Sequence, residues 1–256
     1  MNGVWDARFF WTHLALSDLR SRWRRSALGI LWSIIQPLGM TILISFVLGR
    51  VFKVPMQEYA PFILSGTIVW EFIIACATQG ATGFVQADAY IKQFHHPLAI
   101  YTLRLVGANL VVFALASISL LGWCAVALPH NISWSWFSIL LIYPIVGFLA
   151  WPLATILAYI GTRFRDLPHA LGLIFQALWF MSPVYFQPKL FRDGNMEWLL
   201  EYNPIYHLLQ IVRAPLLHAQ FPQLENILFS IGTIIVLTII ALLVGVRCEK
   251  RVIFYL

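Results

Sequence analysis

Arg20, Arg22, Arg24 and Arg25 fall within the six residues RSRWRR, directly before a long uncharged apolar run. Guanidinium groups hold anions through paired parallel N–H bonds that an ammonium group cannot reproduce. Two readings of the cluster stand together: an anchor on anionic lipid that fixes the orientation of the chain, or a receiving surface for an anionic ligand or partner. Other candidate chemistry is thinner. His13 and Asp18 in HLALSD have the five-residue spacing used for acyl transfer to glycerolipids, but no second catalytic block accompanies them, which favours coincidence. A phosphate-cradling loop needs a glycine directly before a lysine. The four lysines, Lys53, Lys92, Lys189 and Lys250, follow Phe52, Ile91, Pro188 and Glu249 instead, so any ATP hydrolysis belongs to another polypeptide. His95, His96, His169 and His207 stand near expected loops without ligand-like companions, and no metal is expected. Cys76 and Cys124 lie inside apolar runs and Cys248 among basic residues, a pattern of unpaired cysteines without a redox role.

The elements that position these residues follow from composition. Sixty per cent of the 256 residues are hydrophobic and 11% are charged, against about 25% charged in a soluble domain, and the mean hydropathy is +0.78. This is the composition of an all-α integral membrane protein. A spanning helix needs ~20 mostly apolar residues, and six segments qualify: 28 to 49, 60 to 84, 103 to 128, 137 to 161, 168 to 187 and 226 to 246. A seventh stretch, 198 to 217, contains Glu201, Asn203, Pro204 and Arg213, costly at bilayer depth, and reads as one or two short helices that dip into the membrane and return. With six spans and both termini in the cytoplasm, Arg50, Lys53, Lys189, Arg192 and Arg213 fall outside, leaving twelve of the seventeen basic residues inside, as the positive-inside rule requires. The first residues lack the pattern of a removable signal peptide. Residues 1–27 form the expected N-terminal unit, an amphipathic helix lying in the interface. Its apolar stripe is Trp5, Phe9, Thr12, Leu16, Leu19 and Trp23, with Phe10, Trp11 and Leu14 off it. Residues 28–256 form the membrane domain.

Three blocks resemble a known family in order and spacing: RSRWRRSALGILWSIIQP (20 to 37), RFRDLPHALGLIFQALWFMSPVYF (163 to 186) and YNPIYHLLQIVRAPL (202 to 216). The chain is similar across its length to the permease subunits of type-2 ABC exporters of lipid-linked polysaccharide, O-antigen permeases first, with capsule and teichoic-acid permeases near. The resemblance implies the type-2 exporter fold, a homodimer around a central pathway, and two copies of a separate ATPase that carries the ATP and magnesium. This chain would hold no cofactor and bind no nucleic acid. The location implied is the bacterial inner membrane, and the cargo an undecaprenyl-diphosphate-linked polymer of O-antigen type. By position, residues 85–98 and 163–168 would be cytoplasmic coupling segments that meet the ATPase through Asp88, Lys92, His95, His96, Arg163, Arg165 and Asp166. Residues 190–217 would be external gate helices. Arg20, Arg22, Arg24 and Arg25 would receive the lipid diphosphate.

Aromatic faces suit sugars, because their apolar surface meets C–H groups. Trp70, Phe72, Trp151, Trp179 and Phe180 lie deep enough in the spans to line such a pathway, whereas Trp134, Trp136, Tyr143, Tyr185 and Trp198 fit interfacial belts. Glu71, in the middle of the second span, departs from the family pattern. A structural hydrogen bond to a neighbouring span is its simpler reading, a pathway contact the other. A drug or small-lipid exporter, an enzyme acting on lipid-linked sugars, and a proton-coupled carrier are the alternative functions. The first fits the arginine-rich helix and short external loops poorly, the second lacks clustered acids, and the third lacks a relay partner for Glu71.

Overall fold

Backbone N–H and C=O groups in hydrocarbon must be paired within their own segment, so an apolar chain without barrel patterning folds as helices. The computed structural model describes residues 8–24, 26–93 and 96–255, and among these every regular element is helical. The order is α1 (Arg8–Trp23), a 3-10 turn (Gly29–Leu31), α2 (Trp32–Phe52), α3 (Met56–Gln86), α4 (Asp88–Gln93) and α5 (Ala99–Ala127). Two 3-10 segments (Pro129–Asn131 and Trp134–Leu141) then lead to α6 (Ile142–Arg163), α7 (Leu167–Met181), α8 (Pro188–Asp193), α9 (Trp198–Glu201), α10 (Pro204–His218) and α11 (Leu224–Tyr255). The 198 to 217 stretch is thus two short helices, as its interruptions suggest.

Five helical segments are long and apolar enough to cross a membrane: Gly29–Phe52, Met56–Gln86, Ala99–Ala127, Trp134–Arg163 and Leu224–Glu249. The fifth of the six expected spans is shorter than its apolar run implied. At 15 residues, α7 extends about 22 Å at ~1.5 Å per residue, less than the ~30 Å hydrocarbon core. Pro183 is the cause: the residue before a proline is pushed from helical to extended backbone, and Ser182 sits at φ −112°, ψ 144°.

Helix α3 stands at the centre, packed against α2, α5, α6, α7 and α10, while α11 closes over α6. Small residues let α3 and α6 approach closely, as in many membrane helix pairs. A Cβ on Gly80 would come within 2.7 Å of the Ala154 Cα, and one on Gly161 would run into the Ala81 carbonyl. One end of the bundle carries α1, α4 and the α6–α7 turn; the other carries the α2–α3 turn, the Trp134–Leu141 run and α8 to α10.

Helix α1 differs from its sequence pattern. Leu14, Ala15 and Leu19 are buried, with Ala15 and Leu19 packed against Ala108 of α5, and Phe10 and Trp11 pack on the cluster that includes Ile100 and Tyr101. Phe9 and Leu16, members of the expected lipid-facing stripe, are 74% and 52% exposed. The helix therefore has two apolar faces, one for α5 and one left open, and the residues that fell off the single stripe, Phe10, Trp11 and Leu14, meet the protein together with Leu19 and Trp23 of the stripe. Trp5 lies outside the described residues.

Gly161→Ala is expected to force α6 from α3 and to cost about 1–3 kcal/mol, the range for overpacking. Gly172→Ala on α7, where a Cβ meets nothing within 4 Å, should be neutral or stabilising, since alanine is the better helix former. Thermal unfolding of both variants in detergent checks the contrast; equal midpoints would contradict it.

Candidate functional site

Helices α1, α2, α3 and α5 diverge around a cleft of about 530 Å³. Its polar lining includes Arg22 in the last turn of α1 and Ser26 just beyond it, Gln36 on α2, Glu71, Thr78 and Gln79 on α3, and Asn109 on α5. Trp23, Trp32, Phe72 and Phe113 supply aromatic walls. The α3 residues recur at helical spacing, so Glu71, Ala75, Thr78 and Gln79 share one face. The polar groups form a chain: Asn109 Nδ2 donates to Gln79 Oε1 at 3.0 Å and to the Leu105 carbonyl at 2.9 Å, and Arg22 Nη1 donates to Asn109 Oδ1 at 3.4 Å. An exposed arginine of α1 is thereby linked to amides inside the bundle.

Glu71 is the unsatisfied member. It stands midway along α3, exposed to the cleft, and makes no hydrogen bond or ion pair with any described residue. Among the described residues the expected structural hydrogen bond to a neighbouring span is absent, because the cleft separates that face of α3 from α2 and α5. An ionised acid at a helix centre costs about 2.5 kcal/mol or more unless water or a ligand meets it, and the cleft admits both.

Of the arginine cluster, Arg22 lines the cleft, Arg20 and Arg24 are exposed beside it along the chain, and Arg25 lies outside the described residues. The cluster is held in place through α1. Asp18 points at Arg104 of α5 at 3.6 Å, and the Arg104 side chain is 6% exposed. Burial raises the Asp18 carboxyl above its ordinary range, opposed by the Arg104 charge. His13 is exposed and shares nothing with Asp18, so the pair has no acyl-transfer geometry.

At the same end, α4 presents Asp88 and Lys92, paired at 2.9 Å, with Lys92 exposed and Asp88 half-buried. Phe10 of α1 meets Tyr90 of α4 and the His96 ring, with centroids 6.2 and 4.9 Å apart, so the arginine helix and this segment share a contact. His95 lies outside the described residues. Asp166 is the N-cap of α7, although its side chain makes no capping bond. Arg163, Phe164, Arg165 and Asp166 form an exposed turn.

The deep aromatics separate. Phe72 lines the cleft and packs on Phe113. Trp70 is buried with its ring edge toward Phe175 of α7, core within this chain. Trp151 donates from Nε1 to the Ala99 carbonyl at 3.1 Å, tying α6 to α5. Trp179 stacks edge-on with Tyr185 and adjoins Phe180, which is exposed.

Arg213 on α10 is a structural residue that reads in the sequence only as an interruption. It is 1% exposed. Its Nη1 donates to the Pro183 carbonyl at 2.7 Å, Nη2 to the carbonyls of Val184 at 2.9 Å and Phe62 at 3.1 Å, and Nε to Ser65 Oγ at 3.2 Å. The guanidinium lies 3.7 Å from the Phe62 ring centroid. Beside it, Tyr59 Oη donates to the Tyr185 carbonyl at 2.7 Å and Asn203 Nδ2 to Ser182 Oγ at 2.8 Å. The non-helical stretch after α7 is thus fastened to α3 and α10 mostly through its own carbonyls. His207 fastens α10 to its neighbours in the same way, with Nδ1 at 2.8 Å from Asn226 Oδ1 of α11 and Nε2 at 2.9 Å from the Glu201 carbonyl.

Comparison with known proteins places the chain in company. The profile of the family described as ABC-2 type transporter matches residues 11–217. An O-antigen export system permease protein RfbA of Klebsiella pneumoniae is 22% identical over 236 residues, covering 91% of this chain and 90% of its own. A protein of the same name from Myxococcus xanthus is 23% identical, covering 88% and 86%. Polysialic acid transport protein KpsM of Escherichia coli is 21% identical, covering 93% and 91%.

Arg213→Lys replaces a planar fork with a point charge and leaves buried carbonyls unpaired. It should lower stability by about 1–3 kcal/mol and raise amide hydrogen exchange in residues 182–187. Exchange there at the wild-type rate would contradict the fastening role.

Proposed function

The chain belongs to the ABC-2 type transporter family, and from that premise we propose that it is the membrane subunit of an ATP-driven exporter moving an undecaprenyl-diphosphate-linked polysaccharide of O-antigen type across the bacterial inner membrane. The cargo class comes from the relatives named as O-antigen export permeases, which align with nearly the whole chain. A capsule polymer is the second reading, favoured by the similarity to a polysialic acid transport protein. In this proposal both termini are cytoplasmic, two copies of the chain pair, and two ATPase subunits dock at the end that carries α1 and α4. Hydrolysis, with its ATP and magnesium, would belong to those subunits, a reading supported by the lack of a glycine-preceded lysine in this chain.

The observation that carries the reading is the position of Arg22, at a cleft that opens beside the interfacial helix and continues inward as a polar chain. A diphosphate brings about two negative charges to the membrane surface, and guanidinium forks bind its oxygens bidentately. Arg20, Arg24 and Arg25 would supply further contacts as the headgroup leaves the surface. The polymer would then follow the diphosphate inward, with Phe72, Trp151, Trp179 and Phe180 the aromatic candidates for its path; Trp70, buried against Phe175, drops out as core. Docking would use the α4 pair Asp88 and Lys92, with His95 and His96, and the exposed turn with Arg163, Arg165 and Asp166. Because Phe10 touches both Tyr90 and His96, a shift of α4 driven by the ATPase would reach the arginine helix through one ring.

Changing Arg22, Arg24 and Arg25 together to lysine keeps the charge and removes the fork. Export should fall at least severalfold at equal membrane abundance, with the N-terminus still cytoplasmic; unchanged export would reduce the cluster to an anchor. Crosslinkers placed at exposed positions of residues 85–98 should capture the ATPase, whereas capture only from residues 188–203 would overturn the docking assignment.

A further inference from the structure

We propose that the Glu71 end of the cleft is a glycosyl subsite, which holds the first sugar of the lipid-linked polymer while Arg22 holds the diphosphate. This rests on the reading of Arg22 as a diphosphate contact and adds to it a ligand for the groups deeper in the cleft.

Three observations carry the inference. Glu71 faces the cleft from the middle of α3 with no partner among the described residues. Gln79, which joins the Asn109–Arg22 chain, lies eight residues further along the same face of α3, about 12 Å from Glu71 at ~1.5 Å per residue. The stretch between is not apolar: Thr78 lines it from α3 and Gln36 faces it from α2. Apart from Arg22 and Glu71, the described lining residues are not ionisable, so a proton relay has no second station.

The chemistry of this end suits a hydroxylated ring. A carboxylate accepts hydrogen bonds only, a primary amide donates and accepts, and sugar hydroxyls do both. The Phe72 and Phe113 rings, 5.2 Å apart between centroids, offer an apolar wall for the C–H face of a sugar. The volume of about 530 Å³ falls within the ~300–1,000 Å³ range of small-molecule sites. A second anion is excluded by Glu71 itself. With the diphosphate at Arg22, the next group along the ligand is the sugar bonded to it, and the cleft continues in that direction.

The test uses the full chain in lipid nanodiscs and two probes, undecaprenyl diphosphate and undecaprenyl diphosphate bearing one hexose. The wild type should bind the glycosylated probe about tenfold more tightly, the scale of one charge-assisted hydrogen bond. Glu71→Gln, close in shape, should lose most of that preference and keep its affinity for the bare diphosphate. Gln36→Leu, on a different helix, should lose part of it and reads the same quantity if Glu71→Gln does not fold. Arg22→Lys should weaken both probes alike. No preference in the wild type, or an undiminished preference in either subsite variant, overturns the subsite while diphosphate binding stands. If neither probe binds above nanodiscs without protein, the diphosphate reading fails and the subsite with it.

Discussion

A bilayer has no water to satisfy a carbonyl, and most of this fold is the consequence of keeping every backbone group paired. Long helices do so by themselves. The difficult point is the end of α7, where Pro183 stops the helix and leaves free carbonyls in a buried place. Arg213 resolves it with four donated hydrogen bonds, three of them to main-chain carbonyls. Gly66 makes room: a Cβ there would approach the Val184 carbonyl to 2.6 Å and Arg213 Nη2 to 2.9 Å. A buried cation without a carboxylate is costly unless its donors are used, and here four bonds use them, two to the Pro183 and Val184 carbonyls of the non-helical stretch after α7. The broken span, α10 and the start of α3 are consequently one unit.

At the other end the constraint runs in reverse, since polar groups are left open there. Helix α1 is clamped to α5 by Leu19, Ala15 and the Asp18–Arg104 pair, which fixes where Arg22 can reach. Asn109 and Gln79 are satisfied by each other, whereas Glu71 has no hydrogen-bond or ion-pair partner among the described residues. One end of the bundle is therefore closed by an arginine that makes four hydrogen bonds, and the other holds a cleft whose acid lacks any among the described residues. The contrast separates a residue that holds the fold together from residues arranged to meet something else.

The spans were legible because ~20 apolar residues in a row have few alternatives, and the two short helices at 198 to 217 were legible from their polar interruptions. The length of α7 was also written in the chain, in the Ser182–Pro183 pair, but the apolar run across it concealed the break. A single stripe was the wrong description of α1, since a helix with one face on protein and another open has no single apolar direction; Phe10, Trp11 and Leu14 carried that signal. Arg22 was recognisable from its cluster. The solitary state of Glu71 was not, because it depends on which face of α3 its neighbours leave bare. Arg213 looked like a charge out of place, since its partners are carbonyls of Phe62, Pro183 and Val184, and main-chain groups have no letter in a sequence.

Deleting the gene for this chain and analysing the undecaprenyl-linked glycans of each membrane leaflet tests the central claim most directly. If the chain exports a lipid-linked polysaccharide, a diphosphate-linked polymer accumulates on the cytoplasmic leaflet while the corresponding polymer disappears from the cell surface, and restoring the chain reverses both. Unchanged surface polysaccharide, with no glycan accumulating inside, would contradict the account.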